Sequence, residues 1–188
     1  MILTDRFQRA FELALSLHAG QTRKGTDIPY ISHLISVAAL VMENGGDEDQ
    51  AIAGLLHDAV EDSGGLPTLA LIRDQFGERV AEIVDGCTDS YALPKPPWRA
   101  RKEEYLAHLT TSRPDTRLVS LADKLHNARS LLFDVQRYGP VVWDRFNGGK
   151  TGSLWYYRAL ADFFSRSDPS PMSDELERVV SQLESLAS

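Results

Sequence analysis

The chain has almost nothing that would tie a fold together covalently or hold it in a bilayer. Cys87 is its single cysteine, which excludes an internal disulfide framework and fits a reducing compartment. No apolar run approaches the roughly 20 residues that span a bilayer. Residues 1–6 lack the basic and then apolar pattern of a signal peptide. The sequence therefore predicts a cytoplasmic protein with no membrane partner.

Sheet-forming and repetitive patterns are missing as well. We find no useful stretch of alternating apolar and polar residues, no internal repeat and no low-complexity tract. The formal net charge of −7 disfavours long contact with a nucleic acid backbone, although a local basic cluster would still accept a small anionic ligand. The length of 188 residues, with 43% hydrophobic, predicts one soluble domain over residues 1–188.

Helical periodicity runs through almost the whole sequence. Apolar residues recur at spacings of three and four between capping residues and glycines. Thr4, Asp47 and Ser173-Asp174 are predicted to cap the first, third and last helices. The third helix is predicted to continue to Gly64-Gly65. Further helices are predicted from about Ile31, from Pro67, over 78–88, from about Trp98 to Leu109, from Pro114, and around Trp155 after a break at 147–152. The predicted fold is a compact, all-α, multi-helix domain.

Four side chains on three predicted helices have the chemistry of a divalent-metal site: His33, His57, Asp58 and Asp123. Two imidazoles and two carboxylates suit a borderline-to-hard cation such as Mn²⁺. An adjacent His-Asp pair alone is typical of an ordinary helix surface. Here the preceding residues are apolar, so unpaired charge would be costly and a cation would compensate it.

Glu61 and Asp62 stand four residues beyond His57 and Asp58, one turn further along the same predicted helix face. Two carboxylates beside a metal would position or deprotonate an attacking water and pass a proton to the leaving group. The alternative is a pair of solvated acids near a helix end, where they oppose the helix dipole. We interpret the pair as catalytic, conditional on the metal.

Other polar residues have the chemistry of a phosphate and sugar site. Arg23 and Lys24 lie in a basic loop over residues 19–30 and would receive phosphate. Tyr30 would border the pocket, and Asn127 would hydrogen-bond a sugar hydroxyl or a phosphate. The alternatives are solvated surface for the basic pair and plain packing for the tyrosine. His18 and His108, on amphipathic helices, are interpreted as structural or exposed.

In their order along the chain, the motifs resemble the hydrolase domain of the RelA/SpoT homologue family, within the HD phosphohydrolase superfamily. The resemblance covers residues from about 5 to 165. It rests on the runs Gln21-Thr22-Arg23-Lys24-Gly25, Pro29-Tyr30-Ile31-Ser32-His33, Leu55-Leu56-His57-Asp58-Ala59-Val60-Glu61-Asp62 and Leu121-Ala122-Asp123-Lys124-Leu125-His126-Asn127. It implies an all-α domain that binds Mn²⁺ and removes pyrophosphate from the ribose 3′ position of (p)ppGpp, leaving GDP or GTP.

Carried over position by position, the resemblance implies a role for each candidate residue. The metal ligands would be His33, His57, Asp58 and Asp123, and the acids that assist water attack would be Glu61 and Asp62. The nucleotide would meet Arg23, Lys24, Asn127 and, by a looser match, Tyr156. The length is similar to that of stand-alone small alarmone hydrolases. The 24–29 segment is one residue longer than the commonest family loop, which bears on base recognition.

Three hypotheses for the activity follow. The first is an alarmone 3′-pyrophosphohydrolase. The second is an HD-type phosphohydrolase of another nucleotide, such as (p)ppApp, a nucleoside monophosphate or NADPH. The third is a non-catalytic nucleotide sensor, which predicts damage to the ligand set or to the acidic pair, and the sequence shows none. The loop at Arg23-Lys24 and the pair Glu61-Asp62 favour the first hypothesis over the second.

Overall fold

A computed structural model describes residues 2–92 and 94–187 of the protein. Over these residues the regular structure is helical, apart from one isolated β-bridge between Thr22 and Pro29, so the predicted all-α class is confirmed. The helices are α1 (Asp5–Leu17), α2 (Ile31–Glu43), α3 (Glu48–Leu56), α4 (Ala59–Asp62), α5 (Leu66–Phe76), α6 (Glu78–Cys87), α7 (Trp98–Leu109), α8 (Pro114–Tyr138), α9 (Gly149–Ser167) and α10 (Pro171–Ala187), with a 3₁₀ helix over Gly139–Arg145.

The chain divides into two compact units. The first unit comprises Met1–Pro96 and Ser112–Ala122, and the second comprises Pro97–Thr111 and Asp123–Ser188. The single domain over residues 1–188 therefore stays a prediction. Among the described residues, no helix is both long enough and apolar enough to cross a bilayer. Leu93, in the proline-rich stretch at residues 92–97, lies outside the described residues.

Helix α3 forms the centre of the first unit. Every residue from 50 to 56 is buried, and α3 packs on α1, α2 and α6, as expected for a helix that is apolar around most of its circumference. Gly54 permits the close approach to α2, because a Cβ at this position would lie only 3.1 Å from the Ala38 Cα. This contact packs the helix that carries His33 against the helix that leads to His57.

The predicted caps of the first and third helices are confirmed. The Thr4 side chain accepts the backbone N–H of Arg6. Asp47 and Gln50 form a reciprocal capping box, in which each side chain accepts the other residue's backbone N–H at 3.1 and 2.9 Å. Such reciprocal bonds satisfy two of the free N–H groups at a helix start.

The prediction that the third helix continues to Gly64 was wrong. Helix α3 ends at Leu56, a turn follows at residues 57–58, and the short helix α4 begins at Ala59. In a continuous helix the Gly54 carbonyl would accept the N–H of Asp58, and His57 Nδ1 competes for that carbonyl from 2.8 Å. A side chain that bonds to the local backbone in this way offers an alternative to the helix.

Two predicted boundaries in the second unit were also wrong. Residues 147–152 do not all separate the helices, since α9 begins at Gly149. The last helix begins at Pro171 rather than after Ser173-Asp174. Ser170 caps it, because the Ser170 Oγ accepts the Ser173 N–H at 3.2 Å and the Ser173 Oγ accepts the Ser170 N–H at 2.8 Å. The first of two equivalent serines is therefore the cap.

Glycines at the start of α9 make room for Trp98 of α7. A Cβ on Gly148 would lie 2.6 Å from the indole ring, and a Cβ on Gly152 would lie 3.0 Å from it. The ring also contacts Trp155 and Tyr156 edge-on. Gly148 and Gly152 therefore leave the space that the Trp98 ring occupies within the second unit.

Replacing Gly148 by alanine is expected to destabilise the protein by about 1–3 kcal/mol, the usual effect of overpacking. The added methyl group would overlap a tryptophan ring that its own neighbours hold in place. The midpoint of chemical denaturation measures the effect. Thr151→Ala, at an exposed position in the first turn of α9, is the matched control. Equal midpoints for Gly148→Ala and the unaltered protein would contradict this account.

Candidate metal centre

Two histidines and an aspartate of the first unit converge on one point. One ligand atom from each of His33, His57 and Asp58 lies within 4.8 Å of the others. The Asp58 Oδ2 lies 3.5 Å from His33 Nε2 and 3.0 Å from His57 Nε2. Both imidazoles are almost fully buried, with 0% and 1% of their surface exposed. The structure therefore brings together three of the four predicted ligands.

The elements around the cluster explain its geometry. His33 lies in the first turn of α2. His57 and Asp58 occupy the turn that separates α3 from α4. Both residues keep right-handed helical backbone angles, so their side chains diverge by about 100°, as on a helix. One ligand atom of each still lies within 4.8 Å of a His33 nitrogen.

The chemistry of the donor atoms fits a divalent metal. A carbonyl oxygen can only accept, so the bond from His57 Nδ1 to the Gly54 carbonyl places the ring proton on Nδ1. In a neutral ring, His57 Nε2 then presents a lone pair to a carboxylate oxygen at 3.0 Å. Two acceptors this close repel each other unless a metal cation or a second ring proton lies between them. Two imidazoles and a carboxylate suit such a cation.

Tyr30 contacts two of the three clustered residues. Its hydroxyl donates to Asp58 Oδ2 at 2.6 Å, and its ring meets the His33 ring edge-on at 5.6 Å between centroids. The phenol therefore orients one candidate ligand and packs on another, as groups behind metal ligands commonly do. The sequence predicted only that Tyr30 would border the pocket.

The basic loop is a short hairpin that begins and ends beside the cluster. The Tyr30 N–H donates to the Gln21 carbonyl at 2.9 Å, and the Arg23 N–H donates to the Ile28 carbonyl at 2.8 Å. Gly25, with φ of +73°, provides the left-handed residue at the turn. The Arg23 guanidinium lies 5.7 Å from the centre of the Tyr30 ring, within cation–π range, whereas Lys24 is exposed. Arg23 is thus the member of the basic pair that is held near the cluster.

The acidic pair occupies the end of α4. The Asp62 N–H donates to the Asp58 carbonyl at 3.0 Å. Asp62 therefore lies one helical turn beyond Asp58, as predicted, although the longer helix is interrupted. Burial raises the pKa of the Asp62 carboxyl above its usual value, against the lowering effect of a hydrogen bond from Gln21. Glu61 accepts a hydrogen bond from Lys95 Nζ at 2.6 Å and one from the Asp89 N–H at 3.3 Å.

Asp123 belongs to the second unit, where its side chain is buried and its negative charge is paired with Lys124. Lys124 Nζ donates to its Oδ2 at 2.6 Å, and the Asn127 side chain donates to its Oδ1. Burial acts to lower the pKa of Lys124, but the Asp123 carboxylate and the phenols of Tyr105 and Tyr156 together outweigh this and raise that pKa well above its usual value. Asn127, predicted to meet the sugar or phosphate, thus orients Asp123. Both roles assigned from the sequence stay predictions.

Tyr156 lies in an aromatic cluster of the second unit. Its ring contacts those of Trp98, Trp155 and Tyr157, and Lys102 Nζ lies 5.2 Å from its centroid. The phenol is 7% exposed, and its hydroxyl has no hydrogen-bond partner within the described part of the chain. Burial raises its pKa, so the group is a neutral donor. Its predicted contact with the nucleotide stays a prediction.

Three residues around the acids had no role predicted from the sequence. His18, interpreted as structural or exposed, is buried and stacks on Tyr30 with 5.2 Å between centroids. Gln21 joins it to Asp62, and Lys95 pairs with Glu61. Gln21 lies inside the basic loop and His18 directly precedes it, which was the available signal. Lys95 gave none, because it follows Glu61 by more than thirty residues in a proline-rich loop.

The helical fold and the buried His-His-Asp cluster together define a class of metal-binding hydrolases. A family model described as the HD domain matches residues 10–148. The chain belongs to this HD domain family.

Several relatives within the family are named for alarmone chemistry. The chain is similar to the guanosine-3′,5′-bis(diphosphate) 3′-pyrophosphohydrolase MESH1 of Xenopus tropicalis, at 38% identity over 137 residues that make up 71% of this chain and 72% of the relative. It is 40% identical over 130 residues to a probable GTP pyrophosphokinase of Mycobacterium leprae, covering 67% of this chain and 16% of the longer protein. The chain thus matches only about a sixth of that relative.

A solved structure extends the likeness to three dimensions. It was reported as a metazoan ortholog of SpoT that hydrolyses ppGpp and plays a role in starvation responses. The TM-score is 0.80 at 25% identity, and the alignment covers 97% of both chains. The resemblance therefore extends over nearly the whole of the described fold.

Proposed function

We propose that the protein is a Mn²⁺-dependent hydrolase that removes pyrophosphate from the 3′ position of (p)ppGpp. The observation that carries the proposal is the set of groups gathered in the first unit. A His-His-Asp cluster with both imidazoles buried lies in the same unit as the carboxylates of Glu61 and Asp62 and the Arg23 guanidinium, and these are the groups that hydrolysis of a phosphate ester requires. The names of the relatives support this substrate class.

The proposed reaction is the transfer of a pyrophosphoryl group to water. The water oxygen forms a bond to the phosphorus attached to O3′, the P–O3′ bond breaks, and O3′ takes up a proton. The products are pyrophosphate and GDP or GTP. A bound divalent cation supplies a Lewis acid for the phosphate oxygens and lowers the pKa of the attacking water.

The side chains of the first unit divide the remaining tasks. His33, His57 and Asp58 hold the metal, and Tyr30 fixes the direction of the Asp58 carboxylate. Glu61, held by Lys95 and the Asp89 N–H, orients the attacking water. Asp62 serves the proton transfer between water and the leaving oxygen. Arg23 and Lys24 neutralise the polyphosphate.

Residues of the second unit complete the proposal. On the strength of the family motif, we assign Asp123 as the fourth protein ligand, Asn127 to the ribose and Tyr156 to the nucleotide. These assignments require the two units to act as the single hydrolase domain predicted over residues 1–188. The cytoplasmic location predicted from the sequence belongs to the same proposal.

A nucleotide panel tests the activity directly. The purified protein is incubated with Mn²⁺ and ppGpp, ppApp, GMP or NADPH in ¹⁸O water, and the products are resolved by mass spectrometry. We expect pyrophosphate that carries one ¹⁸O atom, and GDP that carries none. Turnover of ppApp alone, or release of orthophosphate alone, would reject the guanine alarmone and support the phosphohydrolase of another nucleotide.

Arg23→Ala is expected to weaken substrate capture more than it slows the bound complex. The guanidinium contacts the polyphosphate before the transition state, so its loss raises KM by about tenfold while kcat changes little. Steady-state kinetics on ppGpp measure both constants. Arg166→Ala, at an exposed position of α9, is the control and should match the unaltered protein. A loss confined to kcat would place Arg23 in the chemical step instead.

A further inference from the structure

We propose that His18 and Gln21 form a relay that fixes the orientation of the Asp62 carboxylate. His18 is thereby a positioning residue, and the inference rests on the proposed function for the role of Asp62. His18 Nδ1 lies 2.6 Å from Gln21 Oε1, and Gln21 Nε2 donates to Asp62 Oδ2 at 2.8 Å. A single amide side chain therefore joins the imidazole to the acid.

The chemistry of the amide sets the direction of the relay. A carboxylate only accepts, so Gln21 must turn its NH₂ group toward Asp62 and its carbonyl toward His18. The carbonyl only accepts in turn, which requires a proton on His18 Nδ1. The contacts thus select one ring tautomer of His18 and one orientation of the amide, since the partner of a ring nitrogen decides its protonation.

The surroundings of His18 indicate that this bond is the reason for an imidazole at the position. The ring is 5% exposed and stacks on Tyr30 at an interplanar angle of 22°. Its Nε2 is buried and has no hydrogen-bond partner among the described residues. A buried polar atom without a partner costs stability, and a phenyl ring would stack equally well without that cost. The Nδ1–H bond is what a phenyl ring could not provide.

The backbone around the relay is fixed at both ends. The Gln21 N–H donates to the His18 carbonyl at 3.0 Å, and the Gln21 carbonyl accepts the Tyr30 N–H at 2.9 Å. Ser63, next to Asp62, donates from its Oγ to the Leu17 carbonyl, next to His18, at 2.9 Å. The end of α1 and the end of α4 are therefore joined twice. With Oδ2 held by Gln21, the other carboxylate oxygen of Asp62 is the one that serves the reacting groups.

Substitutions at His18 separate the hydrogen bond from the stacking. His18→Phe keeps a flat ring against Tyr30 but has no donor, and we expect kcat to fall by about tenfold to a hundredfold, the range for groups that orient active-site residues. KM and bound metal should stay within about twofold. His18→Asn places an amide N–H near the position of Nδ1 and should recover most of kcat. Gln21→Leu, which keeps the volume, should match His18→Phe.

A spectroscopic measurement tests the relay without turnover. In ¹⁵N-histidine-labelled protein, His18 should show the Nδ1–H tautomer, and His18→Phe identifies its signals among the five histidines. Gln21→Leu should shift His18 away from that tautomer. An Nε2–H tautomer in the unaltered protein would overturn the relay.

The two proposals fail in different ways. An unaltered protein that releases no pyrophosphate rejects the proposed function, and the tautomer then decides the hydrogen-bonded relay by itself. An active protein whose kcat is unchanged by both His18→Phe and Gln21→Leu rejects the positioning role. If one variant fails to fold, which circular dichroism reports, the other gives the kinetic result.

Discussion

Replacing His57 by alanine is expected to remove the bound metal and to lower kcat/KM by at least about a thousandfold, with helical content nearly intact. Among the described residues, His57 supplies one of the three candidate ligand atoms gathered in the first unit. Without the metal, the attacking water loses the shift of its pKa toward neutrality, which is a large part of such catalysis. The core of the first unit rests on aliphatic side chains of α2, α3 and α6, so the fold should persist.

Metal analysis after gel filtration, together with pyrophosphate release from ppGpp, gives the result. His108→Ala is the matched control, since it removes an exposed histidine of α7 and should retain both metal and activity. Asp123→Ala, run in parallel, tests the fourth ligand, which the sequence motif alone assigns. Full metal occupancy in His57→Ala would end the assignment of the cluster. Full occupancy confined to Asp123→Ala would remove only the fourth ligand.

The fold class was predictable because helical periodicity is a local property of the sequence. Thr4 and Asp47 were predicted correctly as caps, since each side chain acts within three residues of its own position. The last cap was not, because Ser170 and Ser173 have the same chemistry and bond to each other. Only the backbone geometry distinguishes which of them begins the helix.

The break between α3 and α4 shows what periodicity cannot reveal. Apolar residues continue on both sides of His57, so the sequence predicts one helix. At the interruption, the His57 imidazole donates a hydrogen bond to the Gly54 carbonyl. Helix propensities do not account for a side chain that competes with the backbone N–H for a carbonyl. The residues that meet in the His-His-Asp cluster were therefore easier to predict than the backbone that presents them.

Pairwise contacts around the site were the least predictable part. The sequence assigned Arg23 and Tyr30 to one pocket, and in the structure the guanidinium lies 5.7 Å from the centre of the phenol ring. It gave no role to Lys95, which pairs with Glu61 across more than thirty residues of chain. Contacts of this kind depend on how a loop folds back on the core, which a single sequence does not encode at any fixed spacing.

The acidic pair should separate metal binding from chemistry. In Glu61→Gln/Asp62→Asn, the amides preserve shape and most hydrogen bonding, but they cannot accept a proton at neutral pH. We expect full metal occupancy, substrate affinity within a few-fold of the unaltered protein, and kcat lowered by about a hundredfold to ten-thousandfold, the usual share of proton transfer in catalysis. Binding is measured by titration with ppGpp, and turnover by pyrophosphate release.

The structure makes this double variant a fair test, because neither acid is among the three clustered ligands. Gln21 and Lys95 both donate hydrogen bonds, and the carbonyl oxygen of an amide accepts them in place of the carboxylate. Glu43→Gln/Asp74→Asn removes the same two charges at exposed positions and controls for the change in net charge. Loss of metal from the active-site pair alone would make Glu61 or Asp62 a ligand. Unchanged turnover would leave water activation to the metal alone, with no side-chain base.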